Sequence, residues 1–315
     1  MRAAALAAAF ATLLAGCMQA EAPSMFARAI VGGAPTTADP AVVALIAQVP
    51  GSMLATLCTA TIVSPHVVLT AAHCVSPDTV GATAKFSVCT AANIDTSHSK
   101  DFVDVTEVHY NADFSVSDVT NGNDIAVAIV GIPFGTPPLP MNRTALTSAM
   151  IGQPARMVGY GKTSGADASG ASAGLKREAD TEMGTYTDKL VRFGNAGTTT
   201  CEGDSGGPGF MTIDGQEVIV GVVSFGDQSC DQLGADTRVD RFVDDWIRPY
   251  VDTADPGFLA PAVAKSGGCS MTPATGTRAS NACSLMLFVI FVVARRRRTQ
   301  RANRQPSRWR SYIGA

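Results

Sequence analysis

The sequence predicts an all-β fold. Thirty glycines and 17 prolines punctuate 315 residues. The apolar runs between them in the body of the chain are short and rich in β-branched residues, as strands bounded by turns require. Only one segment of that body carries apolar residues at helical spacing, and it lies near the end.

Residues 67–70 (VVLT), 125–130 (IAVAIV) and 218–223 (VIVGVV) read as strands. Residues 165–174 are rich in Gly, Ala and Ser and read as a flexible surface loop. The single helical segment places Phe242, Val243, Trp246, Ile247, Tyr250 and Val251 on one face, with Asp244, Asp245 and Arg248 between them. No internal repeat occurs, and residues 30–255 read as one domain.

The formal charge of −3 conceals an asymmetry. Residues 30–268 hold 13 Lys and Arg against 26 Asp and Glu, a net −13, and the ends carry the compensating basic excess. An acidic body with a basic tail argues against a nucleic-acid-binding domain, because phosphate attraction needs positive charge on the folded part.

The ends read as export and sorting signals. Residues 1–17 combine one arginine with a small, apolar run, which is the composition of a signal peptide. Residues 14–17 (LAGC) resemble a lipobox, with Cys17 as the acylation site; ordinary cleavage nearby is the alternative. Either route takes the chain out of the reducing cytosol and permits disulfides. Residues 18–29 read as a propeptide, and 256–281 as a linker containing Gly267-Gly268-Cys269. Residues 282–298 pair a short apolar run with four arginines, ahead of a basic tail over 299–315. This arrangement resembles the tripartite C-terminal sorting tags of certain Gram-negative bacteria, which implies a sorting protease as partner. The expected location is outside the cytosol, either secreted or associated with the cell surface or outer membrane.

Four motifs carry the chemistry. They are residues 30–33 (IVGG), 70–74 (TAAHC), 123–126 (NDIA) and 203–208 (GDSGGP). Each alone is weak. In this order and at these separations they resemble the chymotrypsin/trypsin family of serine endopeptidases, across residues 30–255.

The resemblance implies two Greek-key β-barrels with the active-site cleft between them and a C-terminal helix. It implies His73 as general base, Asp124 as the group that orients His73, and Ser205 as nucleophile. The amides of Gly203 and Ser205 would form the oxyanion hole. Asp204, a buried charge needing a partner, would pair with the α-amino group of Ile30 once the chain is cut before it. Ala29 stands where the family's commonest pattern has Arg or Lys, so the cutting agent is either an activating protease or signal peptidase, whose small-x-small rule residues 27–29 (ARA) also fit.

The resemblance pairs Cys58 with Cys74 and Cys201 with Cys230. Cys89 is left either as a free thiol or as a partner for Cys269. The specificity pocket would have Thr199 at its floor, six residues before the nucleophile, and Ser224, Phe225, Gly226 and Gly234 on its walls. A threonine floor points to an uncharged residue before the scissile bond. Asp236, close behind the pocket, is the feature that favours the alternative of Arg or Lys. No CxxC or HExxH pattern suggests a metal, no cofactor is implied, and His66, His98 and His109 read as surface or packing residues. The expected partners are polypeptide substrates. A silent homologue serving as a binding module is the rival from another class, and the presence of His73, Asp124, Ser205 and Gly203 together argues against it.

Overall fold

The computed structural model describes residues 30–195, 197–232 and 234–259. The signal, propeptide, sorting-motif, hydrophobic and basic-tail assignments lie outside them. Among the described residues no helix is long and apolar enough to cross a membrane.

The first half forms β1 (Ala34–Pro35), β2 (Val42–Gln48), β3 (Ala55–Ser64), β4 (Val67–Thr70), β5 (Lys85–Cys89), β6 (Phe102–Tyr110) and β7 (Ala126–Val130). Strands β2-β3-β4-β7-β6-β5 close into an antiparallel barrel. Closure removes every free edge, so each strand's backbone groups are paired. The second half forms β8 (Pro154–Gly159), β9 (Arg177–Tyr186), β10 (Leu190–Phe193), β11 (Pro208–Ile213), β12 (Gln216–Phe225) and β13 (Gly234–Arg238). These close in the order β8-β9-β10-β13-β12-β11, with β11 returning to β8 and β1 added outside β9. The expected two-barrel, all-β architecture is present.

The apolar runs read as strands are buried along most of their length: all four residues of β4 are buried, as are residues 218–224 of β12. One core cluster joins Val42, Leu69 and Val127 of the first barrel to Phe210 and Val222 of the second. The barrels therefore share a hydrophobic seam, and the cleft opens along its rim.

The terminal helical segment is present in two pieces. A single π turn over Val243–Ile247 precedes an α-helix over Arg248–Ala254. Trp246 and Ile247 both donate their amides to the Phe242 carbonyl, at 2.9 Å each. Pro249 gives the physical reason: it has no N–H to donate and its ring crowds the carbonyl four residues earlier, which an uninterrupted α-helix would require. Val243, Ile247 and Val251 still face the core as the spacing predicted.

The 165–174 segment is a loop, as expected, but an organised one. Asp167 accepts from the Ser172 amide (2.9 Å), the Ser172 hydroxyl (2.6 Å) and the Ser169 hydroxyl (2.8 Å).

Candidate active site

Strand pairing brings His73 to Asp124. β4 and β7 are neighbours with Thr70 opposite Ala126. His73 follows β4 in a one-turn helix, Ala72–Cys74, and Asp124 lies two residues before β7. The two side chains therefore emerge at one end of adjacent strands. The Cys58–Cys74 disulfide ties the histidine turn to β3.

Asp124 is fully buried and satisfied from both barrels. One carboxylate oxygen accepts the His73 amide at 2.9 Å; the other accepts the His73 Nδ1–H at 2.7 Å and the Ser224 hydroxyl at 2.5 Å. The Thr237 hydroxyl donates to the Asp124 carbonyl at 2.9 Å. This holds the imidazole with its proton on Nδ1 and leaves Nε2 free to accept one. Ser224 and Thr237 belong to β12 and β13, so the aspartate is a joint between the barrels.

Ser205 sits in the turn preceding β11. Thr59 of β3 clamps that turn, donating its amide to the Ser205 carbonyl (2.8 Å) and its hydroxyl to the Gly203 carbonyl (2.9 Å). The Cys74 sulfur lies 3.7 Å from the same Ser205 carbonyl, which puts the serine loop beside the residue following His73.

The amides of this turn divide into two sets. Those of Asp204, Gly206 and Gly207 donate to Cys201, Val223 and Asp204 carbonyls. Those of Gly203 and Ser205 donate to no described residue. Two adjacent unspent donors beside a hydroxyl are what a developing oxyanion requires. Gly203 has φ +98°, a left-handed region that a side chain would resist, and a Cβ there would lie 2.8 Å from Gly161 Cα.

Asp204 faces inward. Its carboxylate accepts amides from Gly161 (2.7 Å) and Cys201 (2.9 Å). Burial pushes its pKa up to about 7, against the opposing pull of those amides and of Arg177. No described cation lies within ion-pair distance of it. Ile30 is fully buried, and Val31 bridges Thr199, so the segment after residue 30 is seated against the chain that leads to the serine.

A cavity of about 330 Å³ opens beside Ser205, lined by Thr200, Glu202, Val223, Ser224, Phe225 and Gly226. The Cys201–Cys230 disulfide closes one side. Ser224, Phe225 and Gly226 stand on its wall. Thr199 and Gly234 lie behind it: Thr199 is 1% exposed, and the threonine that lines the cavity is Thr200. Cys58, His73 and Cys74 bring three metal-ligating atoms together, but the two sulfurs are bonded to each other. Cys89 is a free, buried thiol.

The family model described as Trypsin matches residues 30–247. The chain belongs to the trypsin family. It is 25% identical over 255 residues to a CLIP domain-containing serine protease B4 of Anopheles gambiae, covering 70% of each chain. It is 28% identical over 220 residues to a urokinase-type plasminogen activator of Gallus gallus, covering 61% of this chain and 50% of that one. It is 35% identical over 79 residues to a complement C1s subcomponent of Sus scrofa, covering 24% of this chain and 11% of that protein. A trypsin-family fold with an oriented His–Asp pair beside a cleft serine is a serine-type endopeptidase.

Sequence reasoning placed Ser224 only on the pocket wall and missed its bond to Asp124. Nor did it find Thr59 or Thr237, since hydroxyls in apolar strands carry no signal of what they will face. The remaining histidines have partners of their own: His66 with Asp255, His98 with Asp101, His109 with Glu107.

Proposed function

We propose that the enzyme cleaves polypeptides through an acyl-enzyme on Ser205. His73 Nε2 takes the Ser205 proton as the hydroxyl attacks the peptide carbonyl. The ring then carries a positive charge, which the buried Asp124 carboxylate stabilises while keeping the ring from turning. The carbonyl oxygen becomes an oxyanion facing the unspent amides of Gly203 and Ser205. His73 returns the proton to the leaving amine, and water repeats the sequence to release the acid. The observation that carries this reading is the Asp124 carboxylate, which grips both the amide and the ring of His73 from within the join of the barrels.

Activation follows from Asp204. A carboxylate with two amides and no cation is incompletely compensated. Cleavage before Ile30 would create an ammonium group in the segment already docked at Thr199, and its pairing with Asp204 would order the oxyanion turn. The cutting agent is a protease or signal peptidase outside this chain, the product is exported, and the C-terminal segment either anchors it or is removed by a sorting protease.

Judged on Thr199 and Thr200 alone, the cavity would take an uncharged side chain. A second reading, in which it takes Arg or Lys, is favoured by Asp236 of β13, a fully buried carboxylate with no hydrogen-bond partner.

A fluorophosphonate probe tests the mechanism. It should label the chain beginning at Ile30, and Ser205→Ala should abolish labelling along with peptide hydrolysis. Labelling that survives in Ser205→Ala, or a mature amino terminus other than Ile30, would refute the corresponding part.

A further inference from the structure

The exposed apolar surface of the chain is uneven. Among the described residues Val116, Ile132, Ile151 and Phe258 are exposed singly, and scattered cases of that kind need no explanation. Met53 and Leu54 differ: they are adjacent, and 99% and 82% exposed. They stand at the tip of the β2–β3 hairpin, whose last strand pair is Gln48 with Ala55.

The tip is a built turn. The Ser52 amide donates to the Val49 carbonyl at 2.9 Å, and the Ser52 hydroxyl accepts the Leu54 amide at 3.0 Å. Gln48 Nε2 donates to the Ser52 carbonyl at 3.3 Å. A backbone with bonds of its own therefore presents both side chains to solvent, and a partner that covers them has little chain left to order.

The pair also continues an apolar surface that leads to the nucleophile. A cavity of about 450 Å³ adjoins the hairpin, lined by Ile46, Ala55, Leu57, Ile94 and Gly203. Glu202, paired with Lys162, lines both this cavity and the one beside Ser205. The two cavities therefore meet next to the unspent amide of Gly203. A substrate whose carbonyl faces that amide, and whose acyl-side residue enters the smaller cavity, sends its leaving-side chain toward the larger one. β3 measures the path: Thr59 donates its amide to the Ser205 carbonyl, and at about 3.3 Å per residue Leu54 lies about 17 Å back along the strand. An extended substrate covers that distance in about five residues.

We propose that the Met53–Leu54 tip is a docking surface for the downstream part of a protein substrate, taking apolar residues about four to six positions after the scissile bond. The inference rests on the endopeptidase reading above and adds a feature of its substrates, an extended apolar segment on the leaving side. The occupant is a polypeptide because the surface is continuous with the cleft, which a lipid surface would not require. The contact lies on the first barrel, far from the reacting bond, so it acts on capture of the substrate and not on the chemical step.

The test uses the activated full-length protein and a pair of internally quenched peptides. Both carry the acyl-side sequence of whichever peptidyl anilide the enzyme cleaves fastest. They differ only at the downstream positions named above, Leu in one and Ser in the other, with the cut site checked by mass spectrometry. The kcat/KM of the Leu peptide should exceed that of the Ser peptide about tenfold, through KM. In the double variant Met53→Ser, Leu54→Ser the ratio should fall to about 1; reading it within one protein cancels any general loss of activity. Both side chains lie outside the core, and anilide turnover checks that the variant is folded. A ratio near 1 in the native enzyme, or a ratio kept in the double variant, overturns the proposal. So does a variant that keeps the ratio but loses binding to phosphatidylglycerol vesicles, which would assign the tip to a lipid surface. If Ser205 is neither labelled by fluorophosphonate nor able to cleave any anilide, the endopeptidase reading and this one fall together. If anilides are cleaved and the ratio is flat, only the docking surface falls.

Discussion

The two barrels share a topology and differ in what they bury. The first is filled with Val42, Leu45, Ile62, Val68, Leu69 and Val127, and its buried acid, Asp124, sits at the rim with every oxygen engaged. The second buries Asp204, Asp236, Lys176 and Arg238 among its strands, each no more than 5% exposed. Lys176 finds only the carbonyls of Asp39 and Val42, and burial holds its pKa below the ordinary lysine value. Burial of apolar surface alone can order the first barrel, at any pH. The second also carries buried acids that no cation compensates: Asp204 has two amides, and Asp236 has no hydrogen-bond partner. One barrel is therefore a support for the base, and the other is the half whose buried acids tie its stability to pH.

The largest expected effect strikes the first barrel. Leu69→Ala removes a fully packed side chain and should cost about 2–5 kcal/mol in urea unfolding, by lost transfer energy and the cavity left behind. Asp236→Ala in the second barrel should change stability at neutral pH by less than about 1 kcal/mol or raise it, because it removes an unpartnered polar group. Both belong in a Ser205→Ala background to prevent self-digestion. Equal losses in the two barrels would erase the distinction.

A pH series sharpens the same contrast. In the uncut chain the Asp204 carboxyl keeps its proton up to about pH 7. In the unfolded chain it releases that proton near pH 4. The folded state therefore binds more protons between those values, and stability falls as pH rises through that window, by at most on the order of 4 kcal/mol. On the proposed activation, the Ile30 ammonium of the cut chain would pair with Asp204 and draw its pKa down, so this decline should disappear. That pairing would raise the ammonium's own pKa above its unfolded value near 8, and its contribution should be lost as pH climbs through the raised value. Melting temperatures of cut and uncut Ser205→Ala protein from pH 4 to 9 decide the matter. Parallel curves would remove Asp204 from the activation argument.

Strand runs and motif order were legible in the sequence because they are local or collinear. The buried run at 67–70, the 126–130 strand and the order of His73, Asp124 and Ser205 all survive intact. What stayed hidden depends on which face a strand presents. Ser224 is one residue past a buried apolar run, and only the register of β12 turns its hydroxyl onto Asp124. Thr199 and Thr200 are neighbours in sequence, yet Thr199 is 1% exposed while Thr200 lines the cavity, a difference that spacing from the nucleophile does not reveal. The π turn at Val243 follows from Pro249, which the helical spacing of apolar residues does not reveal.

The smallest expected effect lies where the terminal helix meets the first barrel. Asp255, at the end of the terminal helix, accepts the Ser64 hydroxyl (2.7 Å), the His66 amide (2.9 Å) and the His66 Nδ1–H (2.6 Å). Burial pushes its carboxyl pKa up, but the bonds from His66 and Ser64 outweigh that and hold it below the ordinary value. A depressed carboxyl stabilises the fold above its unfolded pKa near 4, and that contribution is lost as pH falls through the lowered folded value. Asp255→Asn should then cost about 1 kcal/mol at pH 7, because the pair is only partly buried, and the difference from the native chain should close below about pH 4. Hydrogen exchange should show the loss concentrated in residues 248–254, the short helix that Asp255 terminates. A deficit that persists at pH 3 would mean that shape, not charge, holds the helix to β3, and the first barrel's independence from titration would extend to its last contact.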